Sequence, residues 1–297
     1  MTETRALPQD YPPARHVLRD LALWSEAGAE PPRAGIAVSA QLFGATGACA
    51  AGALAVLVDA VAGGAALRAA PERTAPGAAV QRAAPSAEVQ GWIATSDMRL
   101  HWLEPVRGGE LIARTRELRS GRTSIVLEVE VCAGPRPVAH GTVAFSRLEA
   151  QGEYQRRPRA ERFGRVDFGA GSTGFPQPWR ECIGARVVDA ASGVLELPLT
   201  PYVGNSLGGP QGGIAVALLD FAAEAAGGVV LGKPVATRDL AVHLLAIGRK
   251  GPLRTHATLL RRVGDEALLR VESRDTGAGD RLCALATATV TRFGAYG

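Results

Sequence analysis

The segment "GNSLGGPQGGIAVALLD", residues 204–220, holds the residue types best suited to chemistry. Gly212 and Gly213 open an apolar run that reads as a helix, and the first amides of a helix have no partner within it. Those free N–H groups, with the positive end of the helix dipole, suit an atom that gains negative charge during a reaction. Two glycines would also let that atom come close to the backbone. Asp220 follows about two turns into the helix, among Ala, Leu, Ile, Val and Phe. A carboxylate in apolar surroundings is costly to keep charged, and its shifted pKa suits a base or a nucleophile. The bland alternative is a helix acid paired with a buried donor.

The same pattern occurs earlier in the chain. "AAGALAVLVDAVAGGAAL" at 50–67 aligns with "QGGIAVALLDFAAEAAGGVVL" at 211–231, placing Asp59 opposite Asp220 at an offset of 161. Downstream, "SDMRLHWLEPVRGGEL" at 96–111 aligns with "RDLAVHLLAIGRKGPL" at 238–253 at an offset of 142, matching Asp97 with Asp239 and His101 with His243. The difference between the offsets is absorbed by the Pro- and Ala-rich stretch 70–91, which reads as a longer surface connection in the first copy. An internal repeat of this length predicts two units of one design.

The elements that must position these acids follow from periodicity. Alternating stretches at 34–42 and 192–200 read as strands ahead of helices 53–67 and 214–231. Strands follow at 93–104, 109–119, 122–132 and 137–148, mirrored at 236–246, 252–262, 267–275 and 281–293. The helices are apolar almost all round, which predicts that each is enclosed. A curved antiparallel sheet wrapped about one long helix would enclose it. The chain therefore divides into a unit at 1–148, a Gly-, Arg- and Pro-rich linker at 149–180 and a unit at 181–297.

Composition narrows the function. With 46% hydrophobic and 21% charged residues the chain reads as globular. Its formal charge of +4 is spread among acids, which argues against a nucleic-acid partner. The basic runs at 119–124, 155–162 and 259–266 read as solvated faces, with a phosphate-bearing molecule such as coenzyme A as the sharper alternative. Four scattered cysteines form no metal-ligand spacing and read as reduced thiols. The opening residues lack the pattern of a signal peptide, and both apolar helices carry an acid that a bilayer would disfavour. A cytoplasmic protein with no metal or cofactor and no membrane partner is expected.

Residues 204–220 resemble the signature of phenylacetate-type hotdog thioesterases, in which an Asn precedes a His-Gly-Gly turn that opens the central helix and an acid follows along it. Asn205, Gly212, Gly213 and Asp220 fall on that pattern. The resemblance implies an α+β fold of two tandem hotdog domains, hydrolysis of an acyl-CoA or acyl-carrier-protein thioester, and a site shared between units. One unit would supply the Asn and the oxyanion glycine, the other the acid. Carried over, one composite site uses Asn205, Gly212 and Gly213 with Asp59, and the other sets Asp220 against the first turn. That first turn has Ala50, Ala51 and Gly52 where the second has Gln211, Gly212 and Gly213, and no Asn precedes it. Asp59 with the second turn is thus the favoured site. Gln211 stands where the motif has His and cannot exchange protons near neutral pH. Thr237, with Thr95 its counterpart, matches a Ser or Thr that positions the attacking water in related enzymes, although a strand threonine without a role is an equal reading. Glu224, one turn past Asp220, is a weaker candidate. His101 and His243 lie on the polar strand face and read as structural. A hydratase or dehydratase would want a His at the helix-opening turn, and a non-catalytic thioester-binding protein remains open. Exposed sheet edges predict further self-association of the fused pair.

Overall fold

In a computed structural model the chain is described at residues 11–69, 91–156 and 165–292. The stretch 70–90 of the expected surface connection, and most of the basic run at 155–162, lie outside the described residues.

The first unit runs from the short helix α1 (Val17–Asp20) through β1 (Trp24–Glu26), β2 (Arg33–Ala37) and a 3-10 turn at Ala40–Leu42 to the long helix α2 (Ala51–Arg68). The meander β3 (Gly91–Trp102), β4 (Glu110–Ser120), β5 (Ser124–Ala133) and β6 (Arg136–Glu149) follows. The segment expected to be linker carries α3 (Glu153–Arg156), β7 (Arg165–Asp167), which pairs with β1, and the start of α4 (Trp179–Cys182). The second unit then repeats the order: β8 (Arg186–Asp189), β9 (Val194–Leu197), a 3-10 turn at Pro201–Val203, α5 (Gly212–Leu231), and the meander β10 (Ala236–Leu244), β11 (Leu253–Val263), β12 (Glu266–Asp275) and β13 (Arg281–Thr291). Helices and meander strands fall within two or three residues of their sequence-derived spans. The strands expected at 34–42 and 192–200 are shorter, because each chain turns into its 3-10 segment near a proline or a buried leucine. Short hairpin partners β1 and β8 carry too few residues to show a period in sequence.

The described strands form one antiparallel sheet in the order β7-β1-β2-β4-β5-β6-β3-β10-β13-β12-β11-β9-β8. The units join edge to edge through β3 and β10, where Arg99 lies opposite its own repeat counterpart Ala241. An approximate twofold therefore passes through that pair. It sets His101 against Asp239, Nδ1 to Oδ1 2.5 Å, and His243 against Asp97, Nδ1 to Oδ2 2.7 Å. The repeated His and Asp residues thus bridge the seam on its exposed face. Sequence alone shows their repetition but not that each pairs with the other copy.

Each long helix is apolar enough to cross a membrane by length and composition, yet most of it is buried against the sheet. The two helices also pack on one another. A Cβ placed on Gly213 would stand 2.4 Å from the Cα of Val56, and one on Gly52 would stand 2.6 Å from the Ala217 Cβ. The helices therefore run antiparallel through their first two turns, in contact at backbone distance. That crossing brings Asp59 to the start of α5 and Asp220 to the start of α2. Gly213→Ala should force the helices apart at a cost of about 1–3 kcal/mol, read as a lower thermal midpoint.

Candidate active site

Asp59 sits on α2 with its carboxylate turned to the opening turn of α5. Gln211 caps that helix: its Oε1 accepts the Ile214 amide at 3.0 Å, while its Nε2 donates to Asp59 Oδ2 at 2.5 Å. One side chain so caps the helix and fixes the acid of the other unit. Thr95 Oγ1 donates to Asp59 Oδ1 at 2.7 Å. Thr95 reaches inward because β3 carries a bulge between Thr95 and Asp97. A bulge at the same place in β10, between Thr237 and Asp239, aims Thr237 toward Asp220. Burial pushes the Asp59 pKa up to about 6, opposed by hydrogen bonds from Thr95, the Gly213 amide and Gln211.

The cluster opens on a cavity of about 620 Å³ whose wall includes Asp59, Thr95, Asn205, Gln211 and Gly212. The Gly212 amide, first in the helix, has no acceptor among the described residues. It is the helix-start donor that remains available to a bound oxygen. Gly213 has another role from the one its position suggests. Its amide serves Asp59 and its missing side chain makes room for α2, so close approach of a ligand is left to Gly212. Asn205 also differs: its Oδ1 accepts from the Leu207 and Gly209 amides at 2.9 and 3.1 Å, and its Nδ2 donates to the Pro210 carbonyl at 2.7 Å. It staples the loop that delivers Gln211 and Gly212. His16, buried and with its pKa lowered to about 4 chiefly by burial, hydrogen-bonds the Gly204 carbonyl at 2.8 Å from the side of α1. Gln155 donates to the Ser206 carbonyl at 2.7 Å. Neither residue carried a sequence signal, since each acts on a loop far along the chain.

The twin acid is placed differently. Asp220 is fully buried and accepts the Gly52 amide at 2.8 Å. The Thr237 hydroxyl lies near enough to favour its charged form but outside hydrogen-bond geometry, which leaves Oδ1 of Asp220 and Oγ1 of Thr237 without partners among the described residues. Burial raises its pKa to about 6. Glu224, also raised by burial and by Asp220, accepts the Thr237 amide at 3.3 Å. Neither Asp220 nor Thr237 borders the cavity. The space beside them is filled by Trp179, which lies 3.3 Å from the Cβ position of Gly52 and stacks edge-on against Phe221 with ring centroids 5.1 Å apart. The first turn also lacks a side-chain cap, because Ala50 stands at the Gln211 position. The repeat alignment could have indicated this closure, since it sets Phe221 opposite Ala60 and Glu224 opposite Gly63.

Residues 46–140, within the first unit, match the family model described as Thioesterase superfamily. Among curated proteins none matches the sequence. Solved structures similar to the chain over nearly its whole length include a conserved protein of unknown function with hot dog fold from Alicyclobacillus acidocaldarius, with TM-score 0.58, 14% identity, and coverage of 93% of this chain and 97% of that one. An acyl-ACP thioesterase from Bacteroides thetaiotaomicron gives TM-score 0.53 at 10% identity, with 87% and 96% covered. A tesB protein from Mycobacterium avium subs paratuberculosis gives 0.53 at 14%, with 87% and 92% covered. At these identities the likeness is one of fold, and it extends across both units: the chain is two tandem hotdog domains.

Proposed function

We propose that this tandem hotdog protein hydrolyses acyl thioesters, of coenzyme A in the first instance, with Asp59 as the working acid. The observation that carries the reading is one buried carboxylate, fixed by Thr95 and Gln211, on the wall of a large cavity beside the free Gly212 amide. A thioester carbonyl placed against that amide would have its developing negative charge met by a fixed donor and the helix dipole. Asp59 then either takes a proton from the attacking water or adds to the carbonyl carbon itself. In both routes the C–S bond breaks and the thiol leaves with a proton; in the second, water then cleaves the acyl–Asp59 anhydride and restores the carboxylate, so that one water supplies the OH of the acid and the H of the thiol. Gln211 contributes by hydrogen bonding alone. Among the described residues no histidine borders the cavity, which disfavours a hydratase.

The test is release of free thiol from a panel of acyl-CoA and acyl-carrier-protein thioesters. Release from any of them that requires Asp59 supports the reading. Tight binding without turnover, or hydration of enoyl-CoA, overturns it. The pH profile gives a second check. A carboxylate that must be charged makes kcat/KM fall tenfold per pH unit below about 6 and level off above it. Thr95→Val removes a donor that favours the charged form, so the inflection should move to higher pH. An unmoved or lowered inflection would assign the titration to another group.

A further inference from the structure

Two consecutive glycines in the C-terminal half of α2, Gly63 and Gly64, ask for a reason, because glycine is among the poorest helix formers. Packing supplies one only in part. A Cβ on Gly64 would meet the Ala27 Cβ at 3.1 Å, but one on Gly63 would meet nothing nearer than the Phe145 ring at 3.9 Å, an ordinary contact. No neighbour among the described residues needs Gly63 to be a glycine. What its bare backbone does provide is space: Gly63 and Gly64, with Ala60 one turn before, border the cavity on the same face of the helix that carries Asp59. The chain contains its own control. In α5 the corresponding positions are Phe221, Glu224 and Ala225, and there Trp179 and Phe221 pack together where the first unit is open.

We propose that Gly63 is the specificity gauge of the site, and that the lobe it opens takes a large, apolar acyl group without a charged end. The proposal rests on the thioesterase reading and deepens it. The lobe is the part of the cavity lined by Asp59, Ala60, Gly63 and Leu67 of α2 together with Phe145 and Ile93. Among the described residues no Lys or Arg lines the cavity. A carboxylate or phosphate at the end of the acyl group would have to give up water there without a cationic partner among the described residues, whereas an alkyl or aryl chain gains by leaving it.

The experiment compares parent protein with Gly63→Ala and Gly63→Leu on acetyl-, butyryl-, octanoyl-, lauroyl-, phenylacetyl- and succinyl-CoA, each as kcat/KM, beside thermal melts. The parent should prefer the large apolar acyl groups and discriminate against succinyl-CoA. Loss of one methylene's worth of apolar contact changes selectivity by about ten- to 200-fold, so Gly63→Leu, which fills more than that, should lower the lauroyl-to-butyryl ratio by at least that order. Gly63→Ala should shift it in the same direction by less and raise the melting temperature, since helix propensity improves with no clash. An active parent whose ratio is unchanged in Gly63→Leu overturns the gauge, as does a fall in melting temperature for Gly63→Ala, which would give the glycine a packing role. A parent preferring succinyl-CoA overturns the assigned acyl class. Absence of thiol release from the parent with every ester would instead remove the thioesterase reading beneath it. If Gly63→Leu fails to fold, the Gly63→Ala ratio and melt decide.

Discussion

Asp59→Asn is expected to reduce kcat/KM for thiol release by about 10²–10⁴, the usual contribution of a positioned acid-base group, while Asp220→Asn leaves release near the parent value. The asymmetry is the informative part, because the two acids are repeat counterparts with similar burial and similar pKa values near 6. They differ in access. Asp59 borders the cavity, and its ligands are the side chains of Thr95 and Gln211. Asp220 lies behind Trp179 and Phe221 with the Gly52 amide as its partner. The asparagine at 59 retains the size of the side chain and an oxygen for Thr95 or Gln211, so folding should survive and the loss should appear in kcat. Equal and small losses in the two variants would show that both composite sites turn over, and that the packing around Trp179 opens in solution.

The second large effect is on stability, and it belongs to Asp220. Burial raises its pKa in the folded chain from 3.8 to about 6. A group shifted upward favours folding fully below its unfolded pKa and loses that contribution as pH rises through the folded value. Above about pH 6 the folded protein therefore bears the charged acid at a cost on the order of 3 kcal/mol, from about 1.4 kcal/mol per pKa unit. Glu224 beside it is itself raised by burial and by Asp220. Asp220→Asn removes the charge. Its oxygen can still accept the Gly52 amide, and its NH2 can donate toward Thr237 Oγ1, which is otherwise buried without a partner. Denaturant unfolding should show the variant more stable than the parent at pH 8, with the difference vanishing near pH 4. A variant less stable at pH 8 would mean that the charged oxygen's bond to the Gly52 amide outweighs desolvation.

These two acids also show how much of the site was legible. Their place on two matching helices follows from the repeat, and Thr95 and Thr237 follow from the alignment of the strands. The reasons for favouring Asp59 changed on contact with the structure. On sequence they were Asn205 and a glycine pair open to substrate. In three dimensions Asn205 closes its own loop and Gly213 lies against the backbone of α2. What separates the acids is the space along α2 at Ala60 and Gly63, and the residues that remove it beside α5.

Duplication, helix positions and the order of strands were determined by the sequence alone, because periodicity and repeat spacing are local properties that survive in one dimension. The tertiary structure decided the rest. Contact of the two helices at Gly52 and Gly213 carries each acid to the other unit's turn, and His101 and His243 meet their aspartates only once β3 and β10 pair. Trp179, from a stretch that reads as linker, packs against Phe221 and beside Gly52, where the first unit has its cavity. Each of these is a meeting of residues far apart along the chain, set by which surfaces pack together, and neither hydropathy nor spacing records that choice.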